Sequence, residues 1–311
     1  MDKEEIKLLR LLIDGAWHEE QELISALNCT NIHLQVLRKR LQDGALCHCA
    51  VMEKAWRLEA RLPFLNKEKI QRALYPKNVV VERLLDSTQN YIATHRKDND
   101  PVQVCFAELQ TAGRGRVGRS WFSSLATQIN LTAFSRQKKG AFFSGLSLVL
   151  GLAVIDAIEE ITGPLFLTLK WPNDVLLNQR KVSGLLIELL PAGNNLVDIV
   201  YGVGLNLLPP PNQQGWIGLL NAVPQLDKDL LAIALFLTLE KYLERFMVEG
   251  FISFRDAWLK RDAFNGQEIC LKVGNKWIQG IEEGVDTEGA LLLRTKRGLE
   301  RFVGNEISVC R

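Results

Sequence analysis

The chain lacks an uninterrupted apolar run long enough to cross a bilayer. Its two longest apolar stretches, Ala141 to Ile155 and Leu230 to Leu239, fall short of the roughly 18–20 residues a span needs. Ser144, Gly145, Ser147 and Gly151 break the first, charges close the two at Asp156 and Glu240, and both read as buried helices. The chain also lacks net charge: 38 Lys and Arg against 36 Asp and Glu leave +2. No bulk field then draws the whole protein to nucleic acid or membrane, so any basic function is local. A cysteine framework is missing as well. Six cysteines are scattered over the chain, and Cys47-His48-Cys49 has no second pair at metal spacing. Reduced thiols and no metal-ligand cluster are expected. The opening Met1-Asp2-Lys3-Glu4-Glu5 leads into no apolar stretch, so no secretory signal is read and a cytoplasmic location is expected. No G-x-x-x-x-G-K-[ST] occurs, which excludes an ordinary P-loop.

What is present is an ordinary globular balance, 47% hydrophobic and 24% charged over 311 residues, which predicts two or three domains. The first sixty residues read as helical. Glu4 to Leu12 has the helical period and ends at Asp14-Gly15; a second helix lies near Glu19 to Leu27; a third runs from an N-cap at Thr30 to about Leu41, before Asp43-Gly44. Ala45 to Met52 and Ala55 to Glu59 pair as a hairpin. Three helices and a hairpin outline a winged helix-turn-helix. Residues 1–30 hold three basic and seven acidic side chains, whereas residues 31–61 hold six basic and three acidic ones. Leu34, Leu37 and Leu41 form the core stripe of the third helix. That leaves Asn31, Gln35, Arg38 and Gln42 as a stripe able to reach bases, with Lys39 and Arg40 near phosphates. Ile32 and Val36 flank this face, and a helical domain that binds protein is the competing reading.

Pro63 and the polar segment Asn66-Lys67-Glu68-Lys69 mark a boundary. Beyond it strands are predicted at Val79 to Leu84, Val102 to Glu108, Ile129 to Ala133, Leu167 to Lys170, Val182 to Leu190 and Leu196 to Leu205. Helices are predicted at Thr88 to His95, Phe142 to Ile161, 228–247 and 250–262, giving a mixed α/β domain around one sheet. After Asn265-Gly266 short alternating runs punctuated by glycine read as a small all-β barrel.

Gln110-Thr111-Ala112-Gly113-Arg114-Gly115-Arg116-Val117-Gly118-Arg119-Ser120-Trp121 is the most informative stretch. Its glycines satisfy G-x-G-x-x-G after a strand, yet Arg119 to Ser124 has no helical pattern and three arginines crowd the loop, so a dinucleotide fold is rejected. A flexible loop bearing Arg114, Arg116 and Arg119 is suited to closing over a small anion, because guanidinium pairs bidentately with carboxylate and phosphate. An RGR-type RNA-binding segment would be expected to repeat, and this one occurs once.

Joined to Asp86-Ser87-Thr88, Lys170-Trp171-Pro172-Asn173-Asp174, Arg180-Lys181-Val182-Ser183-Gly184 and Gly202-Val203-Gly204-Leu205-Asn206, this loop resembles the biotin protein ligases, in particular the bifunctional bacterial form that also represses biotin-synthesis genes. Five motifs occur in the family's order. The resemblance implies an α/β (α+β) chain of three domains: a winged helix-turn-helix at 1–62, a mixed-sheet catalytic domain like class II synthetases at 63–264, and an SH3-like barrel at 265–311. It implies that biotin and ATP, with Mg²⁺, give biotinyl-5′-adenylate, which acylates one lysine of the biotin carboxyl carrier protein of acetyl-CoA carboxylase. Ser87, Thr88, Gln89, Gln110, Arg114, Gly115, Arg116, Lys181 and Gly184 would then hold biotin, with Gln89 standing where the family often has Asn. Arg116, Arg119, Asn173, Asn206 and Trp216 would hold the nucleotide. Lys181, Arg116 and Asp174 would carry the chemistry. Operator DNA and a homodimer formed when the adenylate binds are the implied partners, and no membrane is. Two features depart from the repressor form: Leu207 to Gly215 is short and proline-rich, and Glu53-Lys54-Ala55-Trp56 lacks a glycine-rich wing tip. The other readings are a ligand-sensing transcription factor without ligase activity and a lipoate or octanoate ligase; the Gly-Arg-Gly-Arg loop argues against the latter.

Overall fold

Alternation along the central strands explains most of the architecture. In the computed structural model, which describes residues 1–44, 46–97, 101–138, 143–193, 195–211, 213–274, 276–304 and, for backbone alone, 307–310, three sheets follow one another along the chain.

The first unit contains α1 (Lys3–Leu12), β1 (His18–Glu19), α2 (Glu20–Leu27), α3 (Asn31–Asp43), β2 (His48–Met52) and β3 (Ala55–Glu59). Asp2 caps α1 by accepting from the Glu4 and Glu5 amides, and Thr30 caps α3 by accepting from the His33 amide. Asn28 reverses the chain between α2 and α3 in the left-handed region, φ 52°. Leu8, Leu9, Leu12, Leu23, Leu34, Leu37 and Leu41 close around the fully buried Trp56, and the strands pair antiparallel in the order β1-β3-β2. The expected hairpin began at Ala45, which lies outside the described residues.

The polar face of α3 is turned differently from the sequence expectation. Gln35 donates to Glu20 at 2.7 Å, Gln42 to the Cys49 carbonyl at 3.4 Å, and Arg38 lies half-buried 5.3 Å over the Trp56 ring. Arg40 pairs with Asp2 at 3.0 Å. The outermost ridge consists of Ile32, Val36 and Lys39, with Asn31 exposed beside it. Helical period alone identifies the buried stripe, but it does not say which polar residues find partners inside the domain.

The central unit contains α4 (Lys67–Ala73), β4 (Val79–Leu85), α5 (Thr88–His95), β5 (Val104–Gln110), β6 (Gln128–Lys138), α6 (Leu146–Thr162), β7 (Leu167–Lys170), β8 (Asp174–Leu177), β9 (Arg180–Gly193), β10 (Leu196–Asn206), α7 (Lys228–Glu249) and α8 (Ile252–Arg261). One seven-stranded sheet runs β4-β5-β6-β10-β9-β8-β7, with β4 and β5 parallel and the other pairs antiparallel. Ile129, Leu131 and Ala133 on β6, with Tyr201, Val203 and Leu205 on β10, join the same core as α6 and α7. The intervening residues pair across the strands as Gln128 with Asn206, Asn130 with Gly204 and Thr132 with Gly202, and face the other side. Within this unit two of these elements escaped the sequence reading: α4, where the polar 66–69 segment was read as a boundary, and β8, whose four residues give too short a pattern. α6 starts at Leu146, and the expected start at Phe142 lies outside the described residues.

The last unit contains β11 (Glu268–Val273), β12 (Lys276–Val285), β13 (Leu291–Thr295), β14 (Gly298–Phe302) and β15 (Ile307–Cys310), an antiparallel sheet ordered β14-β13-β12-β11-β15. Its buried Ile269, Leu271, Leu291 and Leu293 belong to the core of the central unit. The first unit docks through Leu46, whose carbonyl accepts from the Leu125 amide at 2.7 Å and the Ser124 hydroxyl at 3.2 Å. Behind that contact, the buried Glu108 and Lys228 pair at 2.6 Å, and Lys228 also reaches the Ala126 carbonyl at 3.1 Å. Burial holds the Lys228 ammonium below its ordinary pKa, against the opposing pull of Glu108. Among the described residues no helix is long and apolar enough to cross a membrane.

Candidate functional site

The polar face of the central sheet floors a cleft of about 190 Å³. Its base is nearly bare backbone: Gly184 of β9 and Gly202 and Gly204 of β10 stand beside Asn130 and Thr132 of β6. Glycine is required at position 204 because a Cβ there would lie 2.3 Å from the Trp121 indole. Trp121 spans the gap between Gly184 and Gly204 and donates from Nε1 to Asn130 at 3.0 Å.

One wall is the start of α5. Ser87 caps the helix through the Gln89 amide at 3.2 Å, and the Thr88 amide donates to Gln110 Oε1 at 2.8 Å. Thr88 Oγ1 lies 2.8 Å from Thr132 Oγ1, so a continuous polar chain crosses the floor. All three residues at the helix start are buried, which is costly for polar groups unless they bond one another or a ligand.

The arginine loop is folded on itself. The Gly115 amide donates to Arg119 at 2.7 Å, Arg119 to Arg116 at 3.1 Å and Trp121 to Gly113 at 2.8 Å, while Val117 and Gly118 turn the chain at φ 55° and 69°. The loop expected to be flexible is folded here into a tight turn, within which the Gly115 amide is bonded to the Arg119 carbonyl. Arg116 donates to Asn173 at 2.9 Å and to the Gly304 carbonyl, tying the loop to the last unit. Burial lowers the Arg116 pKa, and Asp174 opposes that shift.

The opposite wall is the β8–β9 hairpin. Asn178 and Gln179 both have positive φ, 49° and 60°, in the tight two-residue connection. Lys181 and Asp174 pair at 2.7 Å near the cleft mouth. Lys181 Nζ also lies 4.9 Å from the Trp216 ring centre and 5.6 Å from that of Trp121. The proline-rich 207–216 segment reaches this point because the Lys181 amide donates to Gly215 at 2.8 Å and the Ile217 amide to Lys181 at 2.9 Å.

Ser87, Thr88, Gln89, Gln110, Arg114, Gly115, Arg116, Arg119, Asn173, Asp174, Lys181, Gly184 and Trp216 all line this one cleft. Asn206 does not. It is fully buried at the end of β10, where its Oδ1 accepts from Gln128 at 2.7 Å. Sequence reasoning gave no role to Trp121, Asn130, Thr132 or Lys170, which also line the cleft. The signal for two of them was the polar alternation Gln128, Asn130, Thr132 within an otherwise apolar strand. Among the described lining residues five cations, Arg114, Arg116, Arg119, Lys170 and Lys181, face one carboxylate, Asp174, so the cleft attracts anions.

A mixed sheet with a cationic cleft over a glycine floor defines the class of the Biotin/lipoate A/B protein ligase family, whose model matches residues 80–206; that of the Biotin protein ligase C terminal domain matches residues 264–309. The chain is 34% identical to the bifunctional ligase/repressor BirA of Escherichia coli K12 over 98% of its own length and 96% of that protein's. It is 38% identical to the biotin--[acetyl-CoA-carboxylase] ligase of Paracoccus denitrificans, over 65% of this chain and 88% of the relative. The structure of the Aquifex aeolicus biotin protein ligase in complex with biotin and ATP superposes with a TM-score of 0.64 at 27% identity, covering 76% of this chain and 99% of that one. The chain belongs to the biotin protein ligase family.

Gly204→Ala should displace Trp121 from the floor, because the added methyl and the indole cannot share the space. The expected result is a changed near-ultraviolet circular dichroism signal and a stability loss of about 1–3 kcal/mol. An unchanged spectrum and unchanged denaturation midpoint would contradict the packing described.

Proposed function

We propose that the cleft activates biotin with ATP and transfers it to a lysine of the biotin carboxyl carrier protein of acetyl-CoA carboxylase. The observation that carries this is the convergence of Lys181, paired to Asp174, with the arginine loop on one anion-attracting cleft. The chain reads as three domains, a winged helix-turn-helix (1–62), the catalytic domain (63–264) and an SH3-like barrel (265–311).

The biotin carboxylate attacks the α-phosphorus of ATP and pyrophosphate leaves, giving the mixed anhydride. The carrier's neutral lysine amine then attacks the acyl carbon and AMP leaves. Ser87, Thr88, Gln89 and Gln110 supply a hydrogen-bonding wall for the ring end of biotin, and Arg114 with Gly184 borders its chain. Lys181 sits between the carboxylate and α-phosphate positions and stabilises the charge that builds there in both steps. Asp174 holds the Lys181 ammonium at 2.7 Å and is the lining carboxylate able to take the proton of the incoming amine. Arg116 and Arg119 neutralise the phosphates, Asn173 orients Arg116, and Trp216 offers a flat apolar surface to adenine. ATP enters as its Mg²⁺ complex. Among the described lining residues Asp174 is the one carboxylate, so phosphate and water oxygens would supply most ligands to that ion. Asn206 acts from below the floor, through Gln128.

Lys181→Ala is expected to retain biotin binding within a few-fold while biotinyl-adenylate formation falls by roughly 10²–10³, the usual loss for one transition-state donor. Single-turnover synthesis and mass spectrometry of the carrier lysine measure the two steps. Full synthesis in the variant would remove the role of Lys181, and a lipoyl instead of a biotinyl increment on the carrier would remove the biotin reading.

The first unit supports a second activity, operator binding as a repressor, with dimerisation when biotinyl-adenylate is bound. The exposed Asn31 and Lys39, together with Arg40 once released from Asp2, are its DNA-facing groups; Gln35 and Arg38 serve by holding α3 against Glu20 and Trp56. Lys39→Ala should weaken binding to biotin-operon DNA and lower the salt slope by about one, as expected for one lost phosphate contact. A mobility shift that deletion of 1–62 leaves unchanged would contradict this activity.

A further inference from the structure

Glu188 is the acidic residue that bonds two side chains lining the cleft, Arg114 and Gln89, from just outside it. It lies on β9 opposite Val200 of β10, about one-quarter exposed, at the edge of the glycine floor. Two cleft groups converge on its carboxylate. Arg114 grips both oxygens, with one guanidinium nitrogen 3.0 Å from Oε2, and the same nitrogen reaches Asn90 Oδ1 at 3.2 Å. The Gln89 carboxamide donates from Nε2 to Glu188 Oε2 at 3.1 Å and to the Val200 carbonyl at 3.4 Å.

The second contact fixes a choice that Gln89 cannot make for itself. A carboxamide is nearly symmetric in shape, so it can present either oxygen or NH₂ in a given direction. With a carboxylate and a carbonyl both accepting from Nε2, the NH₂ must point outward along β9 and β10. Gln89 Oε1 is then left on the floor, where it accepts from Thr132 at 3.3 Å and lies over Gly202, close enough that a Cβ there would be 2.7 Å away. A glutamine has the reach for this crossing that a shorter asparagine lacks. The first contact supplies a charge for Arg114 in a cleft whose other lining cations would repel it.

We propose that Glu188 is the positioning residue of the biotin subsite: one carboxylate anchors Arg114 and orients Gln89 so that the floor presents an acceptor to the N–H groups of a cyclic urea. This rests on the ligase reading above. Glu188 acts through Arg114 and Gln89 and does not touch the reacting atoms. The nucleotide half of the site, around Arg116, Asn173 and Trp216, makes no contact with it among those described.

Steady-state adenylate synthesis by the full chain tests this. Glu188→Ala, which frees both partners, should raise the biotin KM about tenfold and leave the ATP KM and kcat within about twofold, since a misplaced buried hydrogen-bonding group costs close to one decade in affinity. Glu188→Gln should behave like Glu188→Ala, because its own NH₂ opposes one of the two donors. Glu188→Asp, which keeps the charge, should recover part of the loss. A biotin KM within twofold of the parent in Glu188→Ala would overturn the role of Glu188 while the ligase reading stands. Equal rises in both KM values would overturn it too, because they mark a general loosening of the sheet. If the parent chain forms no biotinyl-adenylate, both fall together.

Discussion

The constraint on which the molecule rests is the two-residue period of β6 and β10. Every odd residue from 129 to 133 and from 199 to 205 is apolar and buried against α6 and α7. Every even residue from 128 to 132 and from 202 to 206 is polar or glycine and belongs to the opposite face. A slip of one residue would exchange the faces, burying Asn130 and Thr132 in an apolar core and exposing Leu131 and Tyr201 to the cleft. Register and site are therefore one fact, and the core that stabilises the sheet also keeps its reactive face in place.

On that face, crowded positive charge is made tolerable by pairing. Lys181 is matched by Asp174, Arg114 by Glu188, and Arg116 by the Asn173 and Gly304 carbonyls. Asp174 of β8 holds Lys181 of the adjoining β9, while the two arginines of the turn are held by Glu188 of β9, by Asn173 just before β8 and by Gly304 of the last unit. The same segment continues from Trp121 to Leu125, where it meets the Leu46 carbonyl of the first unit. The three units thus meet along the irregular segment that leads out of the cleft.

The motifs were legible in the sequence because each combines a rare spacing with a chemistry: glycines beside arginines, a lysine in a hairpin, alternate glycines on a strand. Thirteen expected ligand residues line one cleft. The failures share a cause, which is that sequence pattern gives periods and not partners. α3 shows its buried stripe in Leu34, Leu37 and Leu41, yet nothing in its period says that Gln35 bonds Glu20 while Ile32 faces solvent. Asn206 matched a motif but lies beneath the floor, bonded to Gln128. The arginine loop, expected to be flexible because glycine permits many conformations, is drawn into its turn by backbone bonds between residues 113 and 121 that no sequence period shows. Trp121 was visible at the end of the motif, but its place depends on the absence of side chains at Gly184 and Gly204, two strands away.

The most direct test of this account is a crystal structure of the chain with biotin and a non-hydrolysable ATP analogue. The ring end of biotin should lie against Thr88, Gln89 and Thr132 over Gly202, and the α-phosphate within hydrogen-bonding reach of Lys181. Ligands bound elsewhere, or a biotin carboxylate far from Lys181, would contradict it.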